Sequence, residues 1–433
     1  MRRISDDYLY FHQHIMQISQ LTLPTLLFQA AAVWLLLQPT HISGDLSSRD
    51  TLDLTTVDTV RVLLFDSRPP QQISIKPGYG EVTFRFDERS ITLTDVDQSA
   101  TITTSGSQIS LETGGESHQT DSLSITNSGG LTEIRSNQFE RRQYRGEFSI
   151  TKHPLRDELR IINRVQLEDY VASVIGGEMN FREFEALKTQ AVVSRTYALW
   201  TIQNSPFPDF DLKDHESNQM YIGAVPEKPW YLDAALSTDG EILTWSGKLI
   251  LSAYSSTCGG VTSNNEDVWR GRALPYLRSV QDHEMCSISP HYRWDFDFNF
   301  DELNELLRSR YGFTVDDVEL ERDHIGRVRH IEFTNNQNGR LLFTGNEFRL
   351  LINRTYNPLS VRSTRFNWDQ KDDGKRIQIS GQGLGHGIGL CQWGAKGFSK
   401  NGWDYRDILS FYFSGTKVVN FHRIESNAIE LHN

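Results

Sequence analysis

The chain has 433 residues, 38% of them hydrophobic and 23% charged, which is long enough for two or three domains with a sizeable core and too apolar for a disordered protein. Its net charge of −12 argues against non-specific binding to nucleic acid or to an anionic membrane surface, since either favours a basic patch. An acidic surface leaves a sugar polymer open as a partner.

Residues 1–45 stand apart as a signal or anchor segment. Arg2 and Arg3 precede an apolar run from Leu21 to Leu37, which is borderline for crossing a bilayer and ample for a signal-peptide core. No small-x-small cleavage site follows Leu37, which favours an uncleaved anchor over secretion; a buried helix of the folded domain is the plainer alternative. Export is expected, with N-terminal membrane contact and an extracytoplasmic location in the cell envelope. The polar stretch from Asp45 to Asp53 reads as a linker. Cys258, Cys286 and Cys391 are too few for a disulfide framework and contain no CxxC pair. One disulfide would be permitted in an exported chain, leaving one odd thiol.

Residues 46–143 read as a β-rich region. TVRVLLFD, residues 59–66, is a buried first core strand bounded by Arg68-Pro69-Pro70, and short β-type runs then alternate with Gly, Ser and Asp turns as far as residue 150. There is no strict internal repeat and no motif for chemistry here. Residues 144–433 form the remaining domain. It opens with two strands and a short helix over 146–173, followed by Val174-Ile175-Gly176-Gly177-Glu178-Met179-Asn180, which places Glu178 on a glycine-flexed turn. Asn180 and Glu183 make a capping-box pattern, so a helix is expected from about Phe181 to Trp200. The positive end of that helix would favour an ionised Glu178, while burial would oppose it. Downstream, 301–312 reads as a helix, VRHIEFT and RLLFTG as a hairpin around Asn338-Gly339, NEFRLLINR as a helix and RIQIS (376–380) as a strand. Helix signals return in WDYRDILSFYF. With no regular βαβ alternation the class is α+β, mixed sheets and helices around a substrate cleft, with a β-rich N-terminal region.

Three segments carry residues suited to chemistry. The first is Gly177-Glu178-Met179-Asn180; a lone Glu beside a helix is usually a cap or a surface charge, but a carboxyl facing a cleft is the common tool for cutting a glycosidic bond. The second is Ser255-Ser256-Thr257-Cys258-Gly259-Gly260-Val261-Thr262, followed by Glu266-Asp267-Val268-Trp269. Hydroxyls beside a Gly-Gly pair allow close approach to a ligand, although a Gly-rich turn is the plainer reading. The third runs from Gly381 to Ala395, GQGLGHGIGLCQWGA. Its alternating glycines permit positive φ and free His386 on both sides, and Gln392 and Trp393 offer an amide and a stacking face. The phosphate-binding fingerprint fails, because no apolar helix follows at the right place and a His sits inside the loop.

These segments resemble the stage II sporulation protein D (SpoIID/LytB) family of peptidoglycan-acting proteins. The similarity runs in order from about Tyr144 to Lys417 through YRGEFSI, INRVQLEDYVASVIGGEMN, EALKTQAVVSRTYAL, SSTCGGVTSNNEDVW, PYLRSVQD, GRLLFTGNEFR, GQGLGHGIGLCQWGAKGF and YRDILSFYFSGTKV. The resemblance implies a lytic transglycosylase that cuts between N-acetylmuramic acid and N-acetylglucosamine without water and leaves a 1,6-anhydro end. The family's catalytic glutamate falls on Glu178, and Gln190, Arg195, Ser256, Thr257, His386 and Gln392 become the candidate substrate-binding residues. It also implies glycan strands stripped of peptide as substrate and an N-acetylmuramoyl-L-alanine amidase as partner. No cofactor is called for.

The chain departs from the family's pattern in places. Prolines usual near Gly176 or Gly177 and at Asn180 are missing. Some members hold zinc on a Cys, His, Cys cluster; here Lys213, Ser217 and Asn218 stand at those positions beside His215, so no metal is expected there. Cys258 and Cys391 replace serines, which permits a disulfide between them, with free thiols the default. Three other readings compete: a non-catalytic wall-binding module that enhances an amidase, a muramidase using Glu266 or Asp267 to activate water, and a Cys258/His386 nucleophilic pair.

Overall fold

Every second side chain of the strand Leu159–Gln166 is buried, namely Leu159, Ile161, Asn163 and Val165, as a half-covered strand requires. The strand lies between Thr59–Leu64 and Glu147–Lys152, antiparallel to both. The computed structural model describes residues 56–225, 228–269 and 271–423; the apolar run 21–37 and the linker behind it lie outside the described residues. Together these strands anchor a seven-stranded sheet in the order 212–213, 59–64, 159–166, 147–152, 122–127, 82–86, 89–93. A six-stranded sheet follows the order 142–144, 131–135, 72–79, 100–105, 108–113, 116–120. Ile73, Ile75, Ile102 and Leu111 of the second sheet share one core with Phe84, Ile125, Ile150 and Ile161 of the first.

The described helices are α1 (Leu167–Glu178), α2 (Phe184–Asn204), α3 (Trp230–Ser237), α4 (Asn265–Val268), α5 (Phe300–Tyr311), α6 (Gly345–Thr355), α7 (Gln392–Lys400) and α8 (Tyr405–Tyr412). None is long and apolar enough to cross a membrane. Helix α2 lies at the centre and has no continuous polar stripe. Leu187, Ala191, Ala198 and Leu199 enter the first core, whereas Ala186, Val192 and Val193 enter a second; a helix apolar on more than one side is a buried one. The second core adds Leu243, Ile250 and Ala253 to Ala395, Phe398, Ile408 and Leu409 of α7 and α8.

Residues 293–382 enclose a third core, which includes Trp294, Phe333, Phe348 and Ile379. Its secondary structure follows local signals. Asn299 caps α5 by accepting from the Asp301 N–H at 2.8 Å, and Gly312 ends that helix at φ 65°. Thr344 and Glu347 form a complete capping box on α6. The hairpin 328–334/340–344 turns through Asn338 at φ 59°. The molecule is α+β.

Candidate active site around Glu178

Glu178 is the last residue of α1, and its two glycines are helical. The expected glycine-flexed turn is therefore absent, and close packing explains the glycines instead. A Cβ on Gly177 would lie 2.2 Å from the Met220 carbonyl oxygen, and one on Gly176 would lie 3.1 Å from the Tyr231 ring. Without side chains at these positions the 219–222 segment lies directly along α1, where the Ile222 N–H donates to Ser173 Oγ at 3.1 Å. The expected capping box is also absent. Residues 179–183 leave the helix, with Met179 and Glu183 extended, Met179 and Phe181 buried and Asn180 and Arg182 exposed, and α2 begins only at Phe184. Phe181 packs edge-on against Trp393, with ring centroids 4.8 Å apart, which holds the linker in place. Glu183 pairs with Lys400 at 3.5 Å and Lys396 at 3.9 Å. Glu178 thus sits at the negative end of α1, where the helix dipole opposes its ionisation.

The carboxyl is half-buried and receives two hydrogen bonds on Oε1: one from the Met220 N–H at 3.0 Å, one from the Tyr254 hydroxyl at 3.0 Å. Behind Tyr254 the chain of donors continues. Tyr170 Oη donates to Gln219 Oε1 at 3.0 Å, and Gln219 Nε2 donates to Tyr254 Oη at 3.3 Å. Gln219 and Tyr170 are fully buried. Burial pushes the Glu178 pKa up, the Met220, Tyr254 and Gln392 hydrogen bonds pull against it, and the Glu216 carboxylate adds to the rise. The net result is a carboxyl held above its ordinary range.

The other two segments meet this carboxyl through a short parallel pairing of Tyr254–Ser255 with Leu390–Cys391. Alternating glycines make that approach possible. Gly383, Gly385, Gly387 and Gly389 all have positive φ, and a Cβ on Gly389 would lie 2.1 Å from the Ala253 carbonyl oxygen. His386 is therefore held by this packing and is not free on both sides. Gln392 hydrogen-bonds the Glu178 carboxyl; its Nε2 also donates to Gln190 Oε1 at 3.4 Å, and Gln190 Nε2 to Ser194 Oγ at 2.9 Å, so Gln190 stands behind Gln392. The Ser256 carbonyl accepts from the Trp393 N–H at 3.0 Å.

The remaining candidates are placed differently. Arg195 is fully buried: Nε donates to Glu168 at 2.7 Å, and the other nitrogens reach Glu168, the Glu241 and Ala235 carbonyls and Thr238. It ties α2 to α1 and α3 and is a framework residue, not a wall of the cleft. Thr257, also fully buried, bonds Ser289 Oγ at 2.8 Å. His386 accepts from the Ile388 N–H on Nδ1 at 3.0 Å and bonds the main chain of Tyr254. Burial and then the Arg327 charge press its pKa down to about 4, so it is a neutral prop behind Tyr254. Trp269 stands 5.1 Å from its ring. Glu266 is held by Arg278, and Asp267 lies 3.5 Å from His324 and 3.8 Å from Arg329. The three cysteines are free and buried. Around His215, Asp66 pairs with Lys213 at 2.8 Å and with His215 at 3.3 Å, while Asn218 Oδ1 accepts from the Lys213 N–H at 3.0 Å.

Tyr254, Gln219 and the Met220 N–H were not among the residues singled out from the sequence. Tyr254 directly precedes the serine-glycine segment, but nothing in its spacing links it to a glutamate 76 positions earlier.

An α+β protein with one raised, half-buried carboxyl at the meeting of three segments is the class that the fold and site define. The model of the SpoIID family, described as stage II sporulation protein, matches residues 155–245, which hold α1, Glu178, α2, Gln219 and Met220. The chain belongs to the SpoIID family. It is 30% identical over 379 residues to an uncharacterized protein of Brachyspira hyodysenteriae, covering 84% of this chain and 94% of that one. It is 31% identical over 275 residues to the stage II sporulation protein D of Bacillus subtilis, covering 59% and 75%. A third relative, the amidase enhancer of Bacillus subtilis, is 26% identical over 290 residues, which are 55% of this chain and 38% of the relative.

Proposed function

We propose that this protein is a peptidoglycan lytic transglycosylase in which Glu178 acts first as general acid and then as general base. The family's link to the cell wall supplies the substrate class. The observation that carries the reading is the Glu178 carboxyl itself, raised by burial, gripped on Oε1 by Met220 and Tyr254 and bonded also by Gln392; in this reading Oε2, which neither Met220 nor Tyr254 engages, carries the proton. That proton passes to the glycosidic oxygen as its bond to the muramic acid anomeric carbon breaks. The substrate's own C6 hydroxyl oxygen bonds to that carbon, and its proton returns to Glu178. Atoms balance without water, and no second carboxylate is needed, unlike in hydrolytic glycosidases. The engagement of Glu266 and Asp267 with basic side chains weighs against a muramidase. The half-buried Trp393 and Trp269 offer apolar faces of the kind that sugar rings pack on.

In this reading the N-terminal apolar run exports or anchors the chain, glycan strands in the envelope are its substrate, and an amidase prepares them by removing stem peptides. Similarity to the amidase enhancer favours a second reading, a non-catalytic wall-binding module that stimulates an amidase. Digestion of intact and peptide-stripped strands in heavy-oxygen water separates the readings. Transglycosylation gives 1,6-anhydro ends without heavy oxygen, hydrolysis gives labelled reducing ends, and a binding module leaves the strands uncut.

A further inference from the structure

Cys258, Asp282, Cys286 and Cys391 come from three separate stretches of chain and converge in the second core. Each offers one ligand atom, all four atoms lie within 4.8 Å of one another, and all four residues are buried. Cys258 follows the strand that carries Tyr254, Cys391 ends the paired strand just before Gln392, and Cys286 lies in the single turn Met285–Ile288 beyond Asp282. Tetrahedral zinc with thiolate arms of about 2.3 Å places its sulfurs about 3.8 Å apart. The Cys258 and Cys286 sulfurs are 3.6 Å apart, and Cys258 Sγ is 3.2 Å from Asp282 Oδ2.

Two further observations point to a bound cation. Asp282 is fully buried, yet its Oδ1 has no hydrogen-bond partner, a costly state for a carboxyl oxygen unless something positive satisfies it. Cys391 Sγ accepts backbone N–H groups from Cys258 at 3.2 Å and from Gly394 at 3.3 Å. Such outer hydrogen bonds orient and stabilise metal-bound thiolates. Arg327, 1% exposed, donates to the Cys258 carbonyl at 3.3 Å and keeps an unpartnered Nε. Three thiolates and a carboxylate exceed a dication by two negative charges, and this buried guanidinium offsets one of them.

We infer that Cys258, Asp282, Cys286 and Cys391 bind one structural zinc ion. The thiolates would suit zinc or copper(I), and the carboxylate selects zinc. Ligand atoms this close together leave room for a single ion and not for a multi-iron cluster. Four protein ligands close the coordination sphere, which is the arrangement of a structural site and not of a catalytic one. The ion would join the segments bearing Tyr254 and Gln392, both of which bear on Glu178, to the turn at 285–288. This site is separate from the 210–221 stretch and does not depend on what Glu178 does.

Elemental analysis of the purified full chain tests the site directly, with about one zinc per chain expected for a closed four-ligand site. Titration of the thiols with p-hydroxymercuribenzoate should release that zinc in step with thiol loss. Cobalt(II) in its place should give tetrahedral visible bands and a thiolate-to-cobalt charge-transfer band. Asp282→Asn, which keeps the side chain's shape, and Cys286→Ser should cut bound zinc at least tenfold, whereas Glu178→Gln should keep it. Folded wild-type protein free of metal, a disulfide among the three cysteines, or copper as the bound metal would each overturn the site.

Discussion

At the residue scale the account turns on the proton of Glu178. Its pKa in the folded protein is raised, chiefly by burial. Between the ordinary carboxyl pKa and the raised one the folded state therefore holds a proton that the unfolded state has released. Stability falls as pH rises through that window. Glu178→Gln should abolish strand cleavage yet raise the urea midpoint at neutral pH, the opposite of what loss of a structural ion pair would do. Cleavage by the wild type should decline as pH rises past the raised pKa. Two substitutions should move that alkaline limb in opposite directions. Glu216→Gln removes a like charge and shifts it to lower pH. Tyr254→Phe removes a donor that favours the anion, so it shifts the limb to higher pH and slows turnover by about ten- to a hundredfold, as expected for a hydrogen bond to a charged group. Two limbs moving the same way in a kcat–pH profile would disprove this electrostatic picture. Glu178 was singled out by its motif and its likeness to a family. Its partners were not, because Tyr254 and Met220 reach it only through tertiary packing. Arg195 shows the converse: a motif position whose side chain proves to be fully buried.

At the scale of single elements, local chemistry was legible wherever it acted alone. Helices α5 and α6 and the hairpin between them follow from caps and turn residues a few positions apart. Between α1 and α2 tertiary packing overrides these local signals: the glycines serve packing and the Asn180–Glu183 pattern yields to Phe181 on Trp393. Gly177→Ala tests this directly. Alanine is the better helix former, so an exposed site would gain stability, but here the new methyl meets the Met220 carbonyl at 2.2 Å. A loss of about 1–3 kcal/mol is expected from overpacking, measured by denaturant titration. Activity should fall with it, because the Met220 N–H that holds Glu178 must shift.

Across the whole molecule, the strand Thr59–Leu64 is paired on both edges, with 159–166 and with 212–213. Residues before 144 are thus part of the sheet that carries α1. A fragment starting at residue 144 would leave the 159–166 strand open along one edge and expose Ile161 and Val165 of the first core. It should show no cooperative thermal transition, whereas a chain starting near residue 48 should melt cooperatively. Spacing alone placed the strand but could not show that its partner lies a hundred residues downstream.

The claim that Glu178 does the cutting is tested most directly by counting 1,6-anhydro ends released from peptide-stripped glycan strands, using mass spectrometry, by wild type and by Glu178→Gln. The account predicts abundant anhydro ends from the wild type and at least about a hundredfold fewer from the folded variant. Equal yields from the two proteins, or reducing ends in place of anhydro ends, would contradict it.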